Sequence, residues 1–420
     1  MKERSRVIRM KAKDTDQLPR IVFLLGAGAS RAAGMPTTEE ITNKVLSCRN
    51  IRRNDDGSYS RGNNNDWSEQ YLRRVRVMLG LLKGEVIRFY SRRPATGKEP
   101  FNYEDLYYVA RQIENHELGA QDNPAILPLI DRLLPPLSPL FIAKEDETTK
   151  EEWSPLEISR ETVRYIKDVV REELKQEPSP AKLTYLDFLK EAWQACQAVD
   201  IFTLNHDKVL DHYLEKEGIP FMDGFGKEKD GVRDWEPSLY EGSSGKVRLF
   251  KLHGGVDWYR CRPNDCHTAL DDQIYLYENP GQEGPQTPWL AKGLTLLEGH
   301  PEILIGTYNK MVDYASEVFI DLHHMFYQSL LSTHHVIICG YSFGDHGINK
   351  MLDTWIKKPD RRLVVVDPGA ETFKNRTVRW DESRIPECWD ELKSRGILKC
   401  ISKRIEDVSW EEIKKELYYR

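Results

Sequence analysis

Five consecutive apolar residues, Ile21 to Leu25, run directly into Gly26, Ala27, Gly28, Ala29 and Ser30. An unbroken apolar run of this length suits a parallel strand covered on both faces, and the glycines after it predict a tight turn and then a helix. Gly26 and Gly28 let backbone approach a phosphate closely, and Ser30 adds a hydroxyl near a helix N-terminus. A dinucleotide fingerprint would need a third glycine where this chain has Arg31, so the turn alone reads equally as a tight βα connection. Thr37 and Thr38 followed by Glu39 and Glu40 predict the next helix start, with Ile41, Val45 and Leu46 on its apolar stripe.

Arg52 to Ser68 is polar, glycine-bearing and aperiodic, which predicts a loop opening an insertion. From Tyr71 the period turns helical through Leu72, Val75, Leu79, Leu82, Val86 and Phe89, then again through Leu106, Val109 and Ile113. Two more stripes follow, Val163 to Leu174 and Leu186 to Cys196, separated by proline-bearing joints at Pro135, Pro136, Pro178 and Pro180. Strand-like runs then resume, ending near Asn205, His253, Ser342 and Asp367. Strands alternating with helical or long connections predict an α/β chain with a Rossmann-like, doubly wound parallel sheet carrying a large, mostly helical insertion. The expected division is a flexible N-terminal arm over residues 1–20, a Rossmann-like domain over 21–49 and 196–420, and the helical insertion over 50–195.

The formal charge of -6 over 420 residues argues against bulk attraction to nucleic acid. No apolar run reaches the roughly 18 residues a membrane helix needs, and the basic, polar N-terminus lacks the apolar stretch of a secretion signal, so a cytosolic protein is expected. Seven scattered cysteines fit reduced thiols better than a disulfide framework.

In open α/β sheets ligands bind beyond the carboxyl ends of the strands, and two of these ends are rich in chemistry. One carries Thr203, Leu204, Asn205, His206 and Asp207; the next carries His253, Gly254 and Gly255. An amide, a carboxylate and an imidazole so placed can hold a ribose, orient a water and accept a proton, as cutting a glycosidic bond requires. An imidazole with a pKa near about 6.5 is a suitable base for that step. Taken singly, Asn205 and Asp207 serve equally well as caps for the helix that begins after them.

The ordered motifs GAGAS, TLNHD, KLHGG, CGYS and VVVDP resemble the NAD-binding motifs of the sirtuin superfamily, over residues 21–38 and about 195–370. The resemblance implies that Gly26, Ala27, Gly28 and Ser30 cradle the phosphates and that Thr203, Asn205 and Asp207 hold the nicotinamide ribose. It makes His253 the base, puts Gly340 and Ser342 against ribose and phosphate from the far side, and sets Asp367 near the adenosine. Deacylating sirtuins carry two Cys-x-x-Cys pairs on zinc, whereas only Cys261 and Cys266 follow His253 before Cys339, so no metal is expected. The Phe and Arg that follow the glycine turn in deacylases, and their acyl-peptide strip, are absent too, which makes water the nucleophile.

The chain therefore looks more like the sirtuin-like NAD hydrolases of bacterial antiphage defence, whose strand end is matched by His253, Gly254, Gly255, Val256, Asp257 and Trp258. That resemblance implies NAD as substrate, cleavage to nicotinamide and ADP-ribose, depletion of cellular NAD, a homo-oligomer and a HerA-type ATPase partner. The stretch Gly242 to Lys246 has the wrong spacing for a phosphate-binding P-loop, so ATP hydrolysis belongs to the partner. The segment Phe225 to Gly231 is a candidate cover for the site. Two rival readings stay open at this stage: a protein deacylase or ADP-ribosyltransferase, and a non-catalytic NAD or ADP-ribose scaffold or sensor.

Overall fold

The computed structural model describes residues 18–91, 101–120, 124–141, 153–242, 245, 247–266, 268–277, 293–306, 314, 317–375 and 384–418. Residues 1–17 of the expected arm, and Lys246, lie outside them. The strands in chain order are β1 (Ile21–Leu25), β2 (Ile51–Arg53), β3 (Tyr59–Arg61), β4 (Val199–Thr203), β5 (Phe221–Met222), β6 (Val232–Asp234) and β7 (Val247–Lys251). There follow β8 (Trp258–Pro263), β9 (Gln273–Tyr277), β10 (Leu294–Leu296), β11 (His335–Cys339), β12 (Arg362–Val366) and β13 (Leu398–Ile401).

Seven strands form one sheet in the order β13-β12-β11-β1-β4-β7-β5, and every pairing in it is parallel. Leaving aside the two-residue edge strand β5, and counting along the chain, the succession from β7 to β13 is 3-2-1-4-5-6, the order of a Rossmann-like doubly wound sheet. The sequence predicted β1, β4, β7, β11 and β12. It did not predict β5 or β13, which are too short to show a period.

Parallel strands buried on both faces need apolar residues on both faces, and β1 shows why its run is unbroken. Val22 and Leu24 enter a core with helices α9 (Glu317–Ser332) and α10 (His346–Ile356), while Ile21, Phe23 and Leu25 enter the opposite core. There they meet α7 (Asp187–Ala195), α8 (Val209–Lys216) and α11 (Trp410–Tyr418).

Asp200, on β4, breaks this apolar rule. It is fully buried and sits in register with Arg248 on β7, whose guanidinium donates to both carboxylate oxygens at 2.7 and 2.6 Å. Arg20 adds bonds of 3.1 and 2.8 Å. A buried carboxylate held by two guanidiniums is costly to unpair. Both arginines keep some access to water, so we expect Asp200→Asn to cost about 3 kcal/mol, the lower end for broken buried pairs, measured as a shifted midpoint in urea unfolding.

A third core lies among α2 (Thr38–Ser47), α3 (Asp66–Ser91), α4 (Tyr103–Glu117), α5 (Leu127–Leu137) and α6 (Pro155–Leu174). The predicted start of α2 is present as a capping box: Glu40 N donates to Thr37 Oγ1 (3.2 Å) and Thr37 N to the Glu40 carboxylate (2.7 Å).

Two local expectations fail here. The segment Arg52 to Ser68 is not a loop throughout, since β2 and β3 pair as a hairpin inside it. That pairing is held by α6, where Asp168 accepts from Tyr59 N (2.7 Å) and Glu161 from Tyr59 OH (2.6 Å), contacts that no local pattern announces. Pro135 and Pro136 are not a joint but lie inside the end of α5. Strands β6, β8, β9 and β10 form a small antiparallel sheet, in the order β10-β8-β9-β6, beside the main one.

Candidate active site

The strand order reverses between β1 and β11, and a crevice opens beyond the carboxyl ends of strands at such a point. Both flanking turns are glycine turns, and they touch. Gly26 N donates to Cys339 O (3.0 Å), and Gly28 N donates to Gly340 O (2.9 Å). A Cβ on Gly28 would fall 2.8 Å from Gly340 Cα, and one on Gly340, whose φ is +62°, would fall 2.3 Å from Ala29 N. The glycines therefore let the two turns approach each other, a requirement that precedes any contact with a phosphate. After the turn, Ala27–Ser30 forms one helical turn, α1, whose last carbonyls are steadied by Tyr185 OH donating to Ala29 O (2.6 Å).

Ser30 is buried and ties α1 to the next strand end. Asn205 Nδ2 donates to Ser30 Oγ (2.9 Å) and to Gly26 O (3.0 Å). The Ser30 hydroxyl in turn hydrogen-bonds Asp207. With both amide protons committed to the glycine turn, Asn205 Oδ1 makes no hydrogen bond among the described residues, which leaves an acceptor on a partly exposed residue at the crevice. Thr203 Oγ1 accepts from Asn205 N (3.1 Å), fixing the same turn from beneath.

Asp207 is buried, and Val209 N donates to its Oδ1 (3.0 Å), so much of its carboxylate serves the start of α8. Burial raises this carboxyl above the ordinary aspartate value. The Lys251 ammonium braces the turn, donating to Asp207 O (3.1 Å) and pairing with Asp211 (2.8 Å). Burial by itself would lower the Lys251 pKa, but the surrounding Asp211 and Asp257 carboxylates hold it above normal.

His253 follows β7 and is only 4% exposed. Its Nε2 lies 3.0 Å from Asp345 Oδ2. A carboxylate only accepts, so this contact puts the proton of the neutral ring on Nε2 and makes Nδ1 the basic nitrogen. Asp345 also accepts from Tyr314 OH (2.6 Å), and its other oxygen caps α10 by accepting from Ile348 N (3.1 Å). The imidazole thus sits against a carboxylate that is itself held at two points. Burial, reinforced by Asp345, pushes the Tyr314 phenol well above its ordinary pKa, keeping it a donor.

Sequence reasoning gave no part in the site to Asp345, Tyr314, Lys251 or His323. His323 is buried on α9, packs edge-on against Tyr314, and is pushed down to about 3 by burial and by the nearby His253. Its signal was a histidine in the apolar stripe of Phe319, Leu322 and Phe326.

The remaining candidates are less closely joined. Gly340 stands in the turn contact already described, whereas Ser342 is exposed and Asp367 turns back on its own loop, accepting from Gly369 N (2.7 Å). Ala27 lies exposed on the first turn of α1. Cys261 is buried on β8 and Cys266 lies beyond that strand. Among the described residues no group of three or more His, Cys, Asp or Glu side chains is placed to hold a metal ion. No described helix is long and apolar enough to cross a membrane. Within the segment Phe225 to Gly231, Phe225 is anchored in the core edge-on against Trp258 rather than lying over the site.

A sheet of this order, with two glycine turns at its reversal point and polar side chains on the adjoining strand ends, defines an α/β protein with a Rossmann-like sheet. Residues 199–388 match the family described as SIR2-like domain, from β4 past β12, with β1 and its glycine turn outside the matched span. No curated protein matches the chain. The family match supports a sirtuin-like, NAD-related function and implies that NAD is bound or used.

Proposed function

We propose that the protein is an NAD glycohydrolase that cleaves NAD to nicotinamide and ADP-ribose. The observation that carries this reading is the buried His253 imidazole, 3.0 Å from Asp345, at the strand end next to the one bearing Asn205. In the reaction the bond between ribose C1′ and the nicotinamide nitrogen breaks, and its electron pair leaves with nicotinamide, which becomes neutral. Water oxygen bonds to C1′ and its proton passes to His253 Nδ1. Asp345 then stabilises the resulting imidazolium, as a buried carboxylate beside a histidine base does. Asn205, with its amide held by Gly26 and Ser30, orients the ribose or the water through Oδ1.

In this reading the enzyme depletes cellular NAD during antiphage defence, acts in the cytosol as a homo-oligomer, and is regulated by a HerA-type ATPase. Its resemblance to defence-type sirtuin-like hydrolases supports that setting. The helical residues 50–195 and the basic N-terminal arm are the proposed contact regions. The test is nicotinamide release from NAD by the purified protein, alone and with a co-encoded ATPase. Asn205→Ala is expected to lower release about 100-fold through lost positioning. Binding of NAD without release by wild type under both conditions would instead favour the scaffold reading, and NAD-dependent turnover of acyl-lysine peptide would favour a deacylase.

A further inference from the structure

Far from the glycine turns, α6, the β2–β3 hairpin and the strap Leu296 to His300 enclose a cavity of about 160 Å³. A smaller one of about 70 Å³ adjoins it, and the two share Arg164, Glu298 and His300. An apolar cavity of roughly 150 Å³ takes a ligand the size of benzene, so the larger chamber fits a five- or six-membered ring and the smaller a phosphate-sized group. The walls, unlike those of a packing void, are polar.

Two features of these walls have no use inside the protein. Asp168 lines the cavity, is 1% exposed and accepts from Tyr59 N through Oδ2, yet its Oδ1 has no hydrogen-bond partner among the described residues. A buried acceptor left open in this way costs stability unless a donor arrives. The second feature is cationic. Arg164 lines both chambers and makes no hydrogen bond or ion pair among the described residues, and Lys167, one turn further along α6, pairs with Glu298 at a long 3.9 Å and otherwise feels Tyr107 and Glu302 at a distance.

Around the smaller chamber stand four cations, Arg111, Arg160, Arg164 and Lys167, against two carboxylates, Glu114 and Glu298. Glu114 is engaged by Arg111 (2.7 Å) and Arg160 (3.5 Å), and Glu298 by His300 (2.6 Å). Apart from His300, whose pKa burial lowers, the lining carries two more cationic than anionic side chains. Burial likewise pushes Asp168 up to about 7.

The geometry points to a second ligand site, here, for a small phosphorylated molecule bearing ring hydroxyls: the phosphate between Arg164 and Lys167, a hydroxyl on Asp168 Oδ1. None of its lining residues belongs to the glycine-turn crevice, and the site does not depend on the reaction proposed above. The strap that closes it runs on to Leu304, whose amide donates to the His253 carbonyl (2.9 Å). A ligand that fixes the strap would also fix the chain behind His253.

Titration calorimetry of the full chain with ribose 5-phosphate and with inorganic phosphate tests the site. Wild type is expected to bind both, ribose 5-phosphate more tightly. Arg164→Ala, at a partly exposed position, should weaken both by about 10- to 100-fold, the usual effect of a lost charge-assisted bond. Asp168→Asn keeps an acceptor for Tyr59 N and should weaken ribose 5-phosphate while sparing phosphate. Unchanged thermal unfolding midpoints would show that both variants fold, and Asn205→Ala should bind as wild type does. Absence of binding by wild type at millimolar ligand overturns the site. So does binding lost in Asn205→Ala but kept in Arg164→Ala, or a preference for ribose 5-phosphate that Asp168→Asn leaves intact.

Discussion

His253→Ala is expected to lower nicotinamide release from NAD by about 10²- to 10⁴-fold, the usual contribution of a positioned general base. The ring is small, and its Nε2 is held by Asp345, on the connection after β11. Its removal leaves Asp345 still bonded to Tyr314 and Ile348, so the fold should survive and the loss should appear in kcat. Asp345→Asn separates base from orienter. The amide still accepts from Ile348 N, but it no longer stabilises an imidazolium, so the rate should fall with NAD affinity retained. Full release by His253→Ala would remove the imidazole from the mechanism. Activity intact in Asp345→Asn would reduce that residue to a helix cap.

The second large effect is structural and arises at Gly340. An alanine Cβ there would lie 2.3 Å from Ala29 N and 2.5 Å from Gly28 C, both backbone atoms that cannot swing aside, at a φ of +62°. The left-handed conformation costs a side-chain-bearing residue about 1–2 kcal/mol, and overpacking about 1–3 kcal/mol more. We expect Gly340→Ala to destabilise by about 2–5 kcal/mol and to abolish NAD binding by driving the two glycine turns apart. Gly80 on α3 provides the control, since nothing lies within 4 Å of its added Cβ. Gly80→Ala should stabilise by up to about 1 kcal/mol, the helix propensity difference. Equal melting temperatures for the two variants would show that the turns do not depend on their close contact.

Much of the architecture was legible because its strands are buried on both faces. Residues such as Ile21 to Leu25 and Leu363 to Val366 must be apolar throughout, and such runs stand out against polar turns. The helix start at Thr37 was equally plain, because a capping box is a local device four residues long. The hairpin of β2 and β3 was not, since two three-residue strands show no period and their hold comes from Asp168 and Glu161 on a distant helix. Nor could any local pattern place β5 and β13 at opposite edges of the sheet.

The candidate site divides along the same line. Its amide, its imidazole and its glycines could be picked out by type and by position at the ends of apolar runs. Sequence alone thus determined which strands exist and which polar residues end them, because burial and turn chemistry act over a few neighbouring residues. Only the tertiary structure decided that Gly28 rests on Gly340, that Ser30 joins Asn205 to Asp207, and that Asp345 serves His253. The first two of these pairings join strand ends adjacent in the sheet and the third reaches from β11 across β1 and β4 to β7; all are distant in the chain, and parallel strand order is set by the packing of whole helices on both faces rather than by any local pattern.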